Sequence, residues 1–315
     1  MNQAAGSPST LSPVSFAAFA SDFEGFSRAL GDSFARFGFA VISDHGLAQD
    51  RIDAALDAAR AFFALPERAK LKYTVGQAGQ RGYTPFGVET AKGHAHYDLK
   101  EFWHVGRDLP TGHPARASMP DNVWPDADVP GFQSTVGWLF EALDGMGLKV
   151  LEAIAAWLGL ERGFFAPTVD HGNSILRLLH YPPAPPDGPH IRAAAHEDIN
   201  VITLLLGAEE AGLEVQDRDG RWIAINPPPG ALVCNIGDML QRLTNHALPS
   251  TTHRVVNPAP ERRGHARYST PFFLHFNPDY LIRTLPGCFG EADRYPDPIT
   301  ADAYLQERLR EIKLA

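Results

Sequence analysis

Two periodicities divide the chain. In the first half, apolar residues recur at helical spacing: Phe23, Phe26, Leu30, Phe34 and Phe37 form one stripe, and Gly38 stops the helix that carries it. Ser21-Asp22-Phe23-Glu24 precedes the stripe with the spacing of a capping box, Ser21 as the cap and Glu24 reaching back. Phe39-Ala40-Val41-Ile42 predicts a short strand, and Ile52, Leu56 and Phe63 mark a second helix that ends at Leu65-Pro66. A glycine-rich loop is expected from Val75 to Gly93, where Arg81-Gly82-Tyr83 would lie at the surface or cover a site as a lid. A strand follows from Leu99 to Val105, then a proline-rich connection from Pro110 to Pro130 and a long apolar helix from Gly131 to Leu158.

After His171 the period shortens to that of strands. Ser174–Tyr181, Ile199–Leu206, Leu213–Asp217, Trp222–Ile225, Ala231–Ile236, His253–Val256 and Arg267–Phe276 read as short strands between Gly/Pro turns. Many short strands of this kind predict a sandwich, barrel or jelly roll. The expected fold is mainly β with flanking helices. A mostly helical region (1–170) packs on a β-rich core (171–280), and a C-terminal extension with a helix (281–315) follows.

Composition narrows the function classes. Across 315 residues, 44% hydrophobic and 21% charged residues are ordinary for a globular protein with a sizeable core. The formal net charge of −9 argues against nucleic acid or an anionic membrane as the main partner. No apolar run approaches the roughly 20 residues of a membrane span. The first basic residue is Arg28, so the N-terminus lacks the start of a signal peptide, and Met1 to about Ser12 reads as a loose tail. Two cysteines, Cys234 and Cys288, read as free thiols in a reduced cytoplasm.

The chemistry concentrates late in the chain. In His196-Glu197-Asp198 the outer two residues are two apart, so on a strand they share a face. His253 can return on a neighbouring strand. Two imidazoles and one carboxylate on one face leave the opposite coordination positions open, which suits a non-haem Fe(II) oxygenase; zinc with a bound water uses the same donors. With 13 histidines in the chain, a chance His-x-Asp is no surprise, so the pair needs its companions.

Arg267 and Ser269 are such companions. They sit two apart in an apolar strand and share a face with Pro271 and Phe273. A buried guanidinium needs a partner, and its planar fork fits a carboxylate, with a hydroxyl as a further donor. An arginine at an edge strand, reaching solvent or a structural aspartate, is the competing reading. Tyr181 ends its own apolar strand, where its hydroxyl can join this clamp or its ring can cover the proline turn beyond it.

Together these motifs resemble the isopenicillin-N-synthase-like family of Fe(II)- and 2-oxoglutarate-dependent oxygenases. His196-Glu197-Asp198 resembles the family's H-x-D, His253-Arg254-Val255 its distal H-R-V, and Arg267-Tyr268-Ser269 its R-x-S. Asn235-Ile236-Gly237-Asp238, Thr244-Asn245, Gly38-Phe39 through Asp44-His45-Gly46, and Phe62-Phe63-Ala64-Leu65-Pro66 extend the resemblance from about Val14 to Pro278. It implies a double-stranded β-helix (a cupin-like jelly roll), Fe(II) held by His196, Asp198 and His253, and 2-oxoglutarate whose distal carboxylate meets Arg267 and Ser269 with help from Tyr181. It also implies a dioxygenase that hydroxylates, desaturates or cyclises a small organic substrate with O2, releasing succinate and CO2.

The chain departs from the family at one point. Leu179-His180-Tyr181 stands where many plant members carry Asn-Tyr-Tyr, so contacts made by that Asn do not transfer. Two alternatives stay open at this stage. One is a family oxidase that uses Fe(II) and O2 without 2-oxoglutarate and binds its substrate's own carboxylate in the clamp. The other is a metal-binding jelly roll with no oxidative chemistry. The primary substrate and the oligomeric state are not legible.

Overall fold

The computed structural model describes residues 11–75, 80–88, 100–183, 192–206, 212–257 and 264–311. The helices among them are α1 (Ala18–Ser21), α2 (Phe23–Phe37), α3 (Gln49–Phe63), α4 (Glu67–Lys70), α5 (Phe132–Trp157), α6 (Ala166–Val169), α7 (Asp238–Leu243) and α8 (Ala301–Glu311). The phenylalanine stripe forms α2 as its spacing predicts, and Gly38 ends it in the left-handed conformation at φ 69°. The cap lies one residue later than expected. Asp22, not Ser21, accepts the Gly25 N–H at 3.0 Å, while the Ser21 hydroxyl bonds back to the Ala17 carbonyl. A carboxylate next to the first turn also meets the positive end of the helix dipole, which a hydroxyl does not match.

Strands from both halves of the chain share one large sheet. Its members are β1 (Val14–Ser15), β2 (Phe39–Ser43), β3 (Thr74–Val75), β4 (Arg81–Thr84), β5 (Glu101–Gly106), β6 (Ile175–Tyr181), β8 (Ile202–Leu206), β11 (Leu232–Ile236), β13 (Arg267–Ser269) and β14 (Pro271–Leu274). They run in the order β1-β2-β11-β8-β14-β6-β5-β4-β3, with β13 also on β6. A smaller sheet, β10-β9-β12-β7, is built from β7 (Ala193–His196), β9 (Leu213–Gln216), β10 (Trp222–Ala224) and β12 (His253–Val255). The two sheets face each other in a jelly-roll-like sandwich, with Phe39, Val41 and Val233 of one meeting Val215 of the other.

The outer face of the large sheet carries the main core. From α5, Phe132, Val136, Leu139, Leu143, Val150 and Ile154 are buried at helical spacing. Each fully buried side chain of this size contributes about 1.5–3 kcal/mol. Gly147 lets the helix lie close to the sheet: a Cβ there would stand 2.5 Å from Leu274 Cδ1.

Three expectations change. The stretch around Arg81-Gly82-Tyr83 is neither loop nor lid but β4, buried at every position. The strand expected over Ile199–Leu206 begins only at Ile202, and the one expected over Arg267–Phe276 is split at Thr270 into β13 and β14. Leu99, the expected start of β5, lies outside the described residues, as do 76–79 and 89–93 of the expected glycine-rich loop.

Candidate active site

β7 ends at His196, and β8 begins six residues later in the other sheet. The His-x-Asp pair therefore straddles the corner where the chain crosses between sheets. Strand alternation does not bring Asp198 to His196; the corner does. His253 comes from β12, directly opposite His196 in the antiparallel pair. The two imidazoles lie 4.3 Å apart by ring centroid, and Phe39 braces His253 edge-on at 5.4 Å.

Hydrogen bonds decide which atoms remain available. His196 Nδ1 meets the Ala194 carbonyl at 2.7 Å, and His253 Nδ1 meets the Thr251 carbonyl at 3.1 Å. A carbonyl only accepts, so both protons sit on Nδ1 and both Nε2 lone pairs are left for a ligand role. Asp198 Oδ2 is taken by the Thr203 hydroxyl at 2.5 Å and the Asn235 amide at 2.8 Å. Its Oδ1 faces the imidazoles, 3.8 Å from His196 Nε2 and 3.9 Å from His253 Nε2. One donor atom from each residue lies within 4.8 Å of the other two. Two neutral imidazole nitrogens and one carboxylate oxygen, each oriented by a backbone or side-chain partner, fit a divalent ion such as Fe(II).

The local electrostatics favour this donor state. Burial alone would raise the Asp198 carboxyl; His253, His196 and the bonds from Asn235 and Thr203 outweigh it and hold the group below the ordinary carboxylate value. The His196 side chain is 46% exposed at one edge. Even so, crowding by protein around the rest of the ring, with His253 beside it, pushes the imidazole down to about 4 against the opposing pull of Asp198.

The chain around the aspartate is moulded by the start of α7. Asp238 N–H donates to the Asp198 carbonyl at 2.7 Å, Gly237 N–H to Val201 and Met239 N–H to Asn200. A Cβ at Gly237 would stand 2.1 Å from the Asn200 carbonyl oxygen, so only glycine fits this approach. Asn235 and Thr203 escaped the sequence reading as functional residues. The signal was there: each is a polar residue in an otherwise apolar strand, and the register places them side by side.

Arg267 and Tyr181 are register partners across β13 and β6, and Ser269 pairs with Leu179. All three residues of the expected clamp are buried, and the Arg267 guanidinium carbon lies 5.3 Å from the centre of the Tyr181 ring. Their face of the sheet is the one that carries Thr203 and Asn235 toward the triad, since Phe273 pairs with both Thr203 and Ile175. The same face presents Arg177, whose Nε donates to His104 Nε2 at 2.6 Å and whose guanidinium lies over Phe102 at 4.5 Å and Phe273 at 5.5 Å. His275 follows β14 near Asp198, and burial pushes its imidazole down to about 4.

The chain is similar to known proteins over most of its length. Residues 11–127 match the family model described as non-haem dioxygenase in morphine synthesis N-terminal, and residues 172–276 match that of the 2OG-Fe(II) oxygenase superfamily. A 2-oxoglutarate-Fe(II) type oxidoreductase of Emericella nidulans is 34% identical over 278 residues, covering 84% of this chain and 78% of that protein. A crystal structure of a 2OG-Fe(II) oxygenase family protein from Caulobacter crescentus is 66% identical, covers 97% of this chain and 100% of its own, and superposes with a TM-score of 0.91. A full-length Neurospora crassa protein crystallised in complex with alpha-KG and thymine is 29% identical, with a TM-score of 0.85 over 98% of this chain and 99% of its own. The chain belongs to the isopenicillin-N-synthase-like family of 2OG-Fe(II) oxygenases and is an Fe(II)- and 2-oxoglutarate-dependent dioxygenase.

Proposed function

We propose that His196 Nε2, Asp198 Oδ1 and His253 Nε2 hold the iron, and that Arg267, Ser269 and Tyr181 receive the distal carboxylate of 2-oxoglutarate. The observation that carries this reading is the division of atoms at the triad: every other donor of the three residues is already hydrogen-bonded to protein. Bound Fe(II) supplies the oxidation, coupling decarboxylation of 2-oxoglutarate to attack on a substrate C–H bond with dioxygen. The protein orients the donors, seats the carboxylate and shields the pocket from water.

The primary substrate docks against the wall formed by Phe102, His104, Arg177 and Phe273. It is a small molecule whose oxygen acceptor meets the Arg177 side, and the outcome is hydroxylation, desaturation or ring closure. The thymine complex of the Neurospora crassa neighbour supports a compact polar substrate of this kind. The two free cysteines support a reducing compartment, the cytoplasm, as the place of action.

Anaerobic addition of Fe(II) and 2-oxoglutarate tests the assignment. A visible charge-transfer band is expected, and His196→Ala or Asp198→Ala is expected to remove it; a band that survives both substitutions overturns the ligand set. Release of CO2 from labelled 2-oxoglutarate, screened against small acids, amino acids and pyrimidines, then identifies the substrate class.

A further inference from the structure

The reverse side of the clamp carries a buried polar network. In register with the clamp, Tyr268 pairs with His180, so these two rings project from the opposite face of β13 and β6. They stack with centroids 4.9 Å apart and planes 18° from parallel. Phe63 at the end of α3 closes the cluster, 5.4 Å from the His180 ring.

His180 Nδ1–H donates to Glu101 Oε1 at 2.7 Å, and Glu101 is its register partner on β5. The other carboxylate oxygen receives Lys70 Nζ at 2.6 Å and the Tyr83 hydroxyl at 2.5 Å. Glu101 is 1% exposed and Lys70 is 7% exposed. Burial would raise the Glu101 carboxyl, but the bonds from His180, Lys70 and Tyr83 hold it below its ordinary value.

Withdrawing two charges from water costs several kcal/mol per ion before the pair and its hydrogen bonds offset it. A well-packed apolar cluster would stabilise this face as well, so stability alone does not account for the network. What it adds is geometry. Four elements, α4, β4, β5 and β6, converge on one carboxylate, and the residue it grips stands between Leu179 and Tyr181. On the clamp face Leu179 is apolar and offers no side-chain hydrogen bond.

We propose that Glu101 and His180 are positioning residues for 2-oxoglutarate: gripping β6 from behind, they set where Tyr181 and Arg267 stand. This rests on the reading of Arg267, Ser269 and Tyr181 as the 2-oxoglutarate clamp. Neither residue touches the co-substrate, and each acts through the strand pair.

The test uses the full chain with Fe(II), titrating 2-oxoglutarate anaerobically by its charge-transfer band, with Co(II) affinity measured separately by absorption. Glu101→Gln and His180→Phe are each expected to raise the Kd for 2-oxoglutarate about tenfold, the scale of outer-shell effects on a bound group, while Co(II) affinity stays at the wild-type value. In an Arg267→Lys background, adding His180→Phe is expected to raise Kd by less than it does alone, because the clamp it positions is already impaired.

A purely structural role lowers the melting temperature and leaves the Kd of the folded protein unchanged, which overturns the proposal. Full additivity with Arg267→Lys also overturns it. If Arg267→Lys itself leaves Kd unchanged, the clamp reading falls and the inference with it. If only Arg267→Lys weakens binding, the clamp stands and the positioning role alone is lost. Should Glu101→Gln fail to fold, His180→Phe, which keeps the stacked ring, decides the matter.

Discussion

The proposed metal triad and the proposed carboxylate clamp are built in opposite ways. The triad is assembled across two sheets: His196 and His253 from the small one, Asp198 from the corner between them, with Asn235 and Thr203 of the large sheet holding the aspartate. The clamp is local, one pair of neighbouring strands with the helices behind it. A site spanning two layers depends on how those layers meet. A site on one strand pair depends on the register and twist of that pair. Damage to the clamp should therefore leave metal affinity largely intact, and that separation is what experiments can break.

The largest effect is expected from Asp198→Ala. It removes the only carboxylate of the triad and leaves two imidazoles, so Fe(II) and Co(II) binding and all turnover should fall to background. Metal binding retained near the wild-type level would show that another acid serves as ligand. Arg267→Ala comes next. Loss of a charge-assisted contact costs about 1.5–3 kcal/mol, roughly 10–150-fold in 2-oxoglutarate affinity, with Co(II) binding unaffected. A matching loss of Co(II) affinity would mean that the two sites are not separable. Asn235→Ala removes one of the two hydrogen bonds that hold Asp198 Oδ2, without touching a proposed ligand, and should weaken metal affinity by about 10–100-fold. Titration with Co(II) measures it, and an unchanged affinity would leave Thr203 as the sole orienting partner.

The smallest effect concerns pH. In the metal-free protein, the His196 and His275 imidazoles are depressed from 6.5 to about 4. Between those values the unfolded chain binds protons that the native state refuses, so the contribution of these two groups to native stability falls as pH drops through this window and levels off below it. Melting temperatures of the metal-free protein across pH 7 to 4 should show the fall, and His275→Phe should make it shallower. A metal-free protein that gains stability on acidification would contradict the assignment of both groups.

Much of this was legible in the sequence. The phenylalanine stripe of α2, its glycine stop, the long α5 and the succession of short strands follow from periodicity and turn residues. The five polar residues of the triad and the Arg/Ser pair stood out by type and spacing. What escaped was set by long-range contacts. Ile199-Asn200-Val201 looks like strand, but the Asn200 amide bonds to the Ile202 carbonyl and the Thr203 hydroxyl, and α7 docks on these backbone groups, so the chain turns there. β4 was hidden because Gly82 interrupts it and because Arg81 is polar. In the fold the Arg81 guanidinium lies against Gly106, where a Cβ would stand 1.9 Å from its central carbon. The network at Glu101 was invisible for the same reason, since its members come from four separate elements.

The corner between His196 and Asp198 has a thermodynamic consequence. An ion bound there ties the small sheet to the large one, so it closes a long loop of chain as a cross-link would, and reversibly. Occupancy and folding then share one equilibrium. Free metal at a hundred times its dissociation constant would add about 2.7 kcal/mol to the native state, a gain that a chelator withdraws. The resistance of this enzyme to heat would thus follow the iron around it.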